Sequence, residues 1–417
     1  MPHPHGLSQW HDCVSTHLPH LSVPQRTVLA LWSFGIVLAH SCGHTSVATL
    51  VAMLLYQSDQ TVRERLHEWR RPAERKRGAS QGGKRRDLDV TTCFAPLLRW
   101  VIQLLPTDCR TLAVAMDAST LGQRFTILNI SVVIRGSAIP IAGTIVAATA
   151  KGAWRPHWER LFGALRGVTP VDWTVIVLAD RGLYARWLFH TITAMGWHPF
   201  LRINRQGQYG PADSAAYRPL LQVITKGAAP WRGRVTCFKT RERQLDGTLL
   251  ARWDAAYAEP WLILTDLPPS QADAIWYGLR AWIAGGSKDA TRGGWHWEQT
   301  KMTDPARAER GWLAMALATL WVVRVGGAAE GAHPAPAAAN LPAMHIARQR
   351  ATGQRAPRTI SCFRRGQLVL IAALIHGAAL PSMHLQSEPW PKSLDTGGER
   401  GTEARAQQYA AEQKLYP

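Results

Sequence analysis

Between residues 21 and 70, apolar side chains recur at intervals of three and four. Leu29, Leu31, Trp32, Ile36 and Leu38 begin the series, and Val47, Leu50, Val51, Leu54 and Leu55 continue it. That period lines one face of a helix, and Thr45 or Ser46 is suited to cap the second helix. From about residue 109 the period changes. TLAVAMDAST is an apolar run ending in a single Asp, the pattern of a buried strand. FTILNISVVIRG and SAIPIAGTIVAATA follow, separated by Arg-Gly-Ser, and predict an antiparallel meander. WRPHWERLFGALRGV returns to helical spacing. TVIVLADRGLYARWLFHTITAMGW reads as a strand, an Asp and a helix in direct succession, and HPFLRINR as a further short strand.

The order β-β-β-α-β-α-β, with an antiparallel meander leading into parallel strands, predicts an α/β fold with a ribonuclease-H-like core. Residues 205–260 break the pattern with short strand-like runs and turn residues, and read as a β-rich insertion. WLILTD then predicts a strand, PSQADAIWYGLRAWI a helix, and Trp312 to Val325 a long apolar helix. GGAAEGAHPAPAAANLPA reads as a low-complexity linker, RRGQLVLIAALIHG as a last helix, and the chain beyond Gly397 as a polar tail. The expected division is a helical DNA-binding domain with a basic loop over 1–90 and the first part of the core over 91–204. The insertion over 205–260, the end of the core over 261–326, and a linker with a C-terminal helical segment over 327–417 complete it. No internal repeat is evident.

Charge narrows the function. The 417 residues carry 48 Lys and Arg against 29 Asp and Glu, a net charge of +19. So basic a chain points to a polyanionic partner, nucleic acid first. The basicity is concentrated between Arg63 and Asp87, in RERLHEWRRPAERKRGASQGGKRRD, read as a helix end running into a mobile loop. Phosphate contact and a solvated face both suit that stretch. The 19 Trp are many for this length, for core or for base stacking. The six Cys are widely spaced with no C-x-x-C pair, which predicts reduced thiols. His40-Ser-Cys42-Gly-His44 imitates half a zinc site but has no second half. The N-terminus has no secretory pattern, and VLALWSFGIVLAHS is too short and interrupted to span a bilayer. The expectation is a cytoplasmic, nucleoid-associated protein with no membrane contact.

Two carboxylates stand out. Asp117 ends the strand in VAMDAST and Asp180 ends the strand in VIVLADRGLYA. A carboxylate at the end of a buried strand is costly unless it binds something. Two side by side would attract a hard divalent ion. Each could equally cap the turn that follows it. Arg181 suits a phosphate contact or a salt bridge.

MDAST, then LADRGLYA, then Tyr277-x-x-Arg280 late in the chain resemble the bacterial insertion-sequence DDE transposases of the Y-R-E-K type. The resemblance spans roughly residues 90–390 and includes a β-rich insertion before the third acid. It implies a ribonuclease-H-like core holding Mg²⁺, with Mn²⁺ as substitute, at Asp117 and Asp180. It also implies cleavage and transfer of double-stranded DNA, with transposon ends and target as partners, and a homodimer pairing two ends. By resemblance, Tyr277 and Arg280 contact end phosphates. Lys288 and Arg292 suit phosphate contact or a solvated face, and Trp295 and Trp297 suit a displaced base or the core.

The third motif departs from the family. Its Glu position falls on Ala284, its Lys position on Thr291, and Ser287 replaces a large apolar residue. RGGW and MTDP beyond are intact. Asp289 lies roughly 140° around a helix from position 284, facing elsewhere. Glu298 would be about 21 Å along an unbroken helix, but Gly285-Gly286 and Gly293-Gly294 invite a break that could fold it back. Asp266, ending WLILTD, is a further substitute, or simply a turn-initiating Asp. Two outcomes are therefore open: a transposase completed by Glu298 or Asp266, or a catalytically silent DNA-binding relic or regulator.

Overall fold

The computed structural model describes residues 5–72, 76, 87–150, 154–211, 216–255, 257–331, 360–378, 384–387 and 389–391. Ten strands form one mixed sheet in the order β3-β2-β1-β4-β5-β10-β9-β8-β6-β7. The first three strands, β1 (Thr111–Leu121), β2 (Phe125–Ile134) and β3 (Ser137–Ala147), are the predicted antiparallel meander. β4 (Thr174–Ala179) and β5 (His198–Arg202) add in parallel to β1. β10 (Trp261–Thr265) returns antiparallel to β5. Residues 205–260 supply β6 (Gln208–Pro211), β7 (Arg218–Pro219), β8 (Trp231–Cys237) and β9 (Leu245–Arg252), which extend the same sheet through β10.

Alternation along β1 divides the core. Leu112, Val114 and Met116 join the larger apolar cluster, while Ala113 and Ala115 join a smaller one with Tyr277, Leu279 and Trp282. β4 repeats this, with Val175 and Val177 on one side and Ile176 and Leu178 on the other. A two-residue period explains both patterns.

Helices α1 (His5–His17), α2 (Val23–Ala39), α3 (His44–Leu55) and α4 (Asp59–Arg70) precede the sheet. Pro24 in the first turn of α2 and the Ser22/Gln25 capping box fix its start. Next come α5 (Phe94–Leu104), α6 (Arg155–Leu165), α7 (Arg186–Thr193) and α8 (Ala281–Ala290). The long α9 (Pro305–Gly331) and α10 (Cys362–Ile375) close the described fold. The N-terminal helices share a core with α9: Trp10 stacks on Trp321 with ring centroids 4.4 Å apart, and Phe34 stacks on the same ring. Among the described residues, Pro305–Ala329 of α9 is long and apolar enough to cross a membrane, but 83% of its apolar window is buried in protein, as in a core helix.

Three expectations change. PSQADAIWYGLRAWI is a broken path of 3-10 turns, Pro269–Gln271 and Ala274–Arg280, before α8 begins. Gly285 and Gly286 do not break α8. Gly286 lets it approach β3, since a Cβ there would sit 2.6 Å from Cβ of Ala138. The apolar helix read from Trp312 starts at Pro305 and runs on through Gly326 and Gly327. Most of the Gly/Ser-rich part of the basic loop, the linker after Gly331, and the tail beyond Gly397 lie outside the described residues.

Candidate functional site

The register of β1 on β4 pairs Ala115 with Leu178, so Asp117 and Asp180 stand side by side two residues further on. Both continue the side of the sheet that faces Tyr277, Leu279 and Trp282. Arg280, the last residue of the 3-10 turn, reaches down to the pair. Its Nη2 is 3.1 Å from Oδ2 of Asp180 and 3.5 Å from Oδ1 of Asp117. The other oxygen of Asp180 accepts from the backbone N–H groups of Gly182 and Leu183, at 3.0 and 3.2 Å. Asp180 therefore both caps its turn and meets a cation. Burial pushes the Asp117 carboxyl above its ordinary value, with Arg280 opposing and Asp180 adding to the rise. Nε of Arg280 is buried without a hydrogen-bond partner.

A second group of charges lies on the same edge. The register of β4 on β5 pairs Ala179 with Leu201, which sets Arg202 beside Asp180. Glu259, just before β10, takes Arg181 at 2.8 Å, Arg202 at 3.4 Å and Arg205 at 3.8 Å. Arg181 thus turns to Glu259. Glu259 and Arg202 were not singled out from sequence. The signal available was that one precedes a strand and the other ends one, which places them together once the strands pair antiparallel.

Tyr277 is 2% exposed, edge-on to Trp261 at 5.3 Å. Burial raises its hydroxyl pKa to about 12, and Arg202 hydrogen-bonds to it. In this conformation it is a core residue supporting Arg280. Ala284 is exposed one helical turn beyond Arg280, so a carboxylate there would project from the same face. Lys288 and Arg292 are exposed. Thr291 ends α8, its hydroxyl donating to the carbonyl of Ser287. Trp295 is fully buried, donates from Nε1 to Thr319 at 2.9 Å, and meets Phe363 edge-on. Gly294 permits this docking, because a Cβ would fall 2.1 Å from the carbonyl oxygen of Asp289. Trp297 is buried as well.

The chain turns at 291–295 as α8 ends, but this carries Glu298 elsewhere. Glu298 meets His296 at 3.5 Å, beside Cys42 of the α2–α3 connection. Asp266 lies at the opposite end of the strands from Asp180, because β10 runs antiparallel to β5. There both its oxygens are 3.1 Å from Nδ1 of His198, the first residue of β5. Among the described residues, no three His, Cys, Asp or Glu side chains converge as a metal group. Asp117 and Asp180 could supply two hard oxygen ligands, provided Arg280 withdraws from the carboxylates.

No known family pattern matches the chain, and no curated protein does either. Among solved structures, the chain is similar to a piggyBac transposase in a synaptic complex with hairpin DNA. The TM-score is 0.34 and the identity 11%, over 95% of this chain and 86% of that one. A likeness at this level defines neither the fold nor the chemistry of this protein.

Proposed function

We propose that this protein is a DNA-binding member of the DDE-transposase lineage, with a ribonuclease-H-like core and a catalytic centre that lacks its third acid. The observation that carries this reading is the in-register pair of Asp117, within β1, and Asp180, just past the end of the adjacent parallel β4, closed over by Arg280 of the Y-x-x-R segment. The strand order β3-β2-β1-β4-β5, with β2 reversed, supports the core assignment. The net charge of +19 supports a nucleic-acid partner. Double-stranded DNA at transposon ends, paired by a dimer, is the partner we assign.

Asp117 and Asp180 would hold Mg²⁺ or Mn²⁺, which in such sites activates water and stabilises the leaving oxygen of a phosphodiester. The chain's own groups then have defined roles. Asp180 is oriented by the amides of Gly182 and Leu183, and Arg280 neutralises the pair until an ion or a phosphate competes for it. With Ala at 284, the second metal position has no first-contact carboxylate from α8. We therefore assign the unmodified chain to binding ends without efficient cutting.

An end-cleavage assay tests this reading, using DNA that carries the inverted repeat flanking the gene, in Mg²⁺ and in Mn²⁺. Ala284→Glu, alone and with Thr291→Lys, should gain cleavage, and Asp180→Ala in that background should abolish it. Cleavage by the unmodified chain that survives Ala284→Gln but not Asp180→Ala would replace the silent reading with that of an active enzyme completed by another group, Glu259 being the next to change.

A further inference from the structure

A second charged site lies away from the carboxylate pair. A cavity of about 460 Å³ opens between the start of α3, the end of α4 and the segment leading into α9. Its wall holds Arg70, Arg307 and Lys301, with His44 and His67, against a single lining carboxylate, Asp304. Asp304 is committed to the N-terminus of α9, where it accepts the backbone N–H of Arg307 at 3.2 Å and lies 3.7 Å from the same residue's guanidinium.

Arg70 is the unusual member. It is 7% exposed, and its guanidinium lies over the Trp32 ring at 5.0 Å. Nη1 meets only the soft sulfur of Met302 at 3.4 Å, and Nε is buried with no hydrogen-bond partner. A buried guanidinium ordinarily sits opposite a carboxylate; here it faces a cavity. Burial, with Arg307 nearby, depresses its pKa to about 10, so it remains charged at neutral pH. Nε2 of His44, on the same wall, is also buried without a partner. The first turn of α3, His44 to Ser46, lines the cavity too and adds backbone N–H groups that no helical carbonyl can take, while the N–H of Gly43 before it is already given to Ser41 Oγ.

We propose that this cavity is a phosphate-binding site, in which Arg70 and Arg307 grip the anion and the first turn of α3 completes the cradle. Tetrahedral oxyanions suit this donor set, because several N–H groups converge on them from different directions. The source that fits a chain of this charge is a backbone or terminal phosphate of DNA. That choice rests on the function proposed above; the site itself does not.

The probe is inorganic phosphate, titrated at low millimolar concentration against the full chain at constant ionic strength, with thermal unfolding as readout. Arg70→Met is avoided as the sole variant because Arg70 packs on Trp32. Arg307→Gln and Lys301→Gln change groups at the cavity mouth. The expected result is saturable stabilisation by phosphate over chloride, weakened about tenfold in apparent affinity by Arg307→Gln, the effect of removing one charge-assisted contact. A second arm measures duplex DNA binding against salt, with and without a 5′-phosphate. Loss of about one from the slope of log K on log salt in Arg307→Gln assigns the site to the DNA backbone. A 5′-phosphate preference lost in the variant assigns it to a strand end. Phosphate binding with DNA binding unchanged by the variant assigns it to free phosphate. No stabilisation by phosphate, together with an unchanged salt slope, overturns the proposal. Failure of the unmodified chain to bind any duplex would instead sink the functional reading, leaving the phosphate result to stand by itself.

Discussion

Nη2 of Arg280 lies 3.1 Å from Oδ2 of Asp180, closer than to any oxygen of Asp117. One guanidinium thus serves two carboxylates that the sheet register forces together. Removing it leaves two adjacent negative groups with no cation between them, and the Asp117 carboxyl, already raised by burial, should rise further. Arg280→Gln should lower the unfolding free energy by about 1–3 kcal/mol in chelator. It should also recover more stability on adding Mn²⁺ than the unmodified chain does. Equal Mn²⁺ responses in urea unfolding would mean that Arg280 does not compete with a cation for the pair.

Ser287 stands on α8 above a cavity of about 270 Å³ shared with Trp295, Trp297 and Trp312. A short polar side chain leaves that space unfilled. Ser287→Phe or Ser287→Leu should raise stability by about 1 kcal/mol and the unfolding temperature with it. Gly286→Ala, one residue away, should do the reverse by about 1–3 kcal/mol, because its Cβ would meet Ala138 at 2.6 Å. A matched pair of melting curves separates the two effects.

Burial pushes Asp289 from its ordinary 3.8 up to about 7, with Lys288 opposing. Between those values the folded chain binds a proton that the unfolded chain has released. The contribution to stability is therefore full below about 3.8 and is lost as pH rises through about 7. Asp289→Asn should flatten the decline between pH 4 and pH 8, and it should be more stable than the unmodified chain at pH 8. Parallel pH–stability curves for the two would show that Asp289 titrates normally.

Trp295 gives a test of core against base stacking. Fully buried and hydrogen-bonded to Thr319, it should cost about 3–5 kcal/mol of stability when changed to Ala. Trp295→Phe should keep duplex affinity unchanged. A large loss of affinity in a folded Trp295→Phe would return this residue to the DNA interface.

The particular residues show what the sequence made legible. Asp180 could be placed at a strand end because the apolar run of β4 stops at it; the buried apolar run of β1 also stops before Asp117, but the strand itself continues to Leu121 through pairing with β2. The meander, the parallel strands and the β-rich character of residues 205–260 followed from local period and turn residues. The 3-10 path through Tyr277 and Arg280 did not, because an i, i+3 spacing suits both helix types. α1 was passed over although Trp10, Val14 and Leu18, all buried, repeat every four residues; its His and polar content hid the stripe. Arg181 could be foreseen in a salt bridge, but its partner Glu259 is fixed by strand pairing far along the chain. The destination of Glu298 depended on the turn at 291–295, which is fixed by the Asp289 carbonyl of α8 and by Trp295 meeting the Phe363 ring of α10.

The stack of Trp10 on Trp321 also bears on how the chain is made. Synthesis proceeds from the N-terminus at about 5–20 residues per second, so the partner of Trp10 is added on the order of 15–60 s after it. Through that interval the apolar faces of α1 and α2 have no α9 to cover them. Newly made N-terminal helices must therefore wait, exposed or chaperoned, and completion of the core is a late event closed by the distant end of the chain.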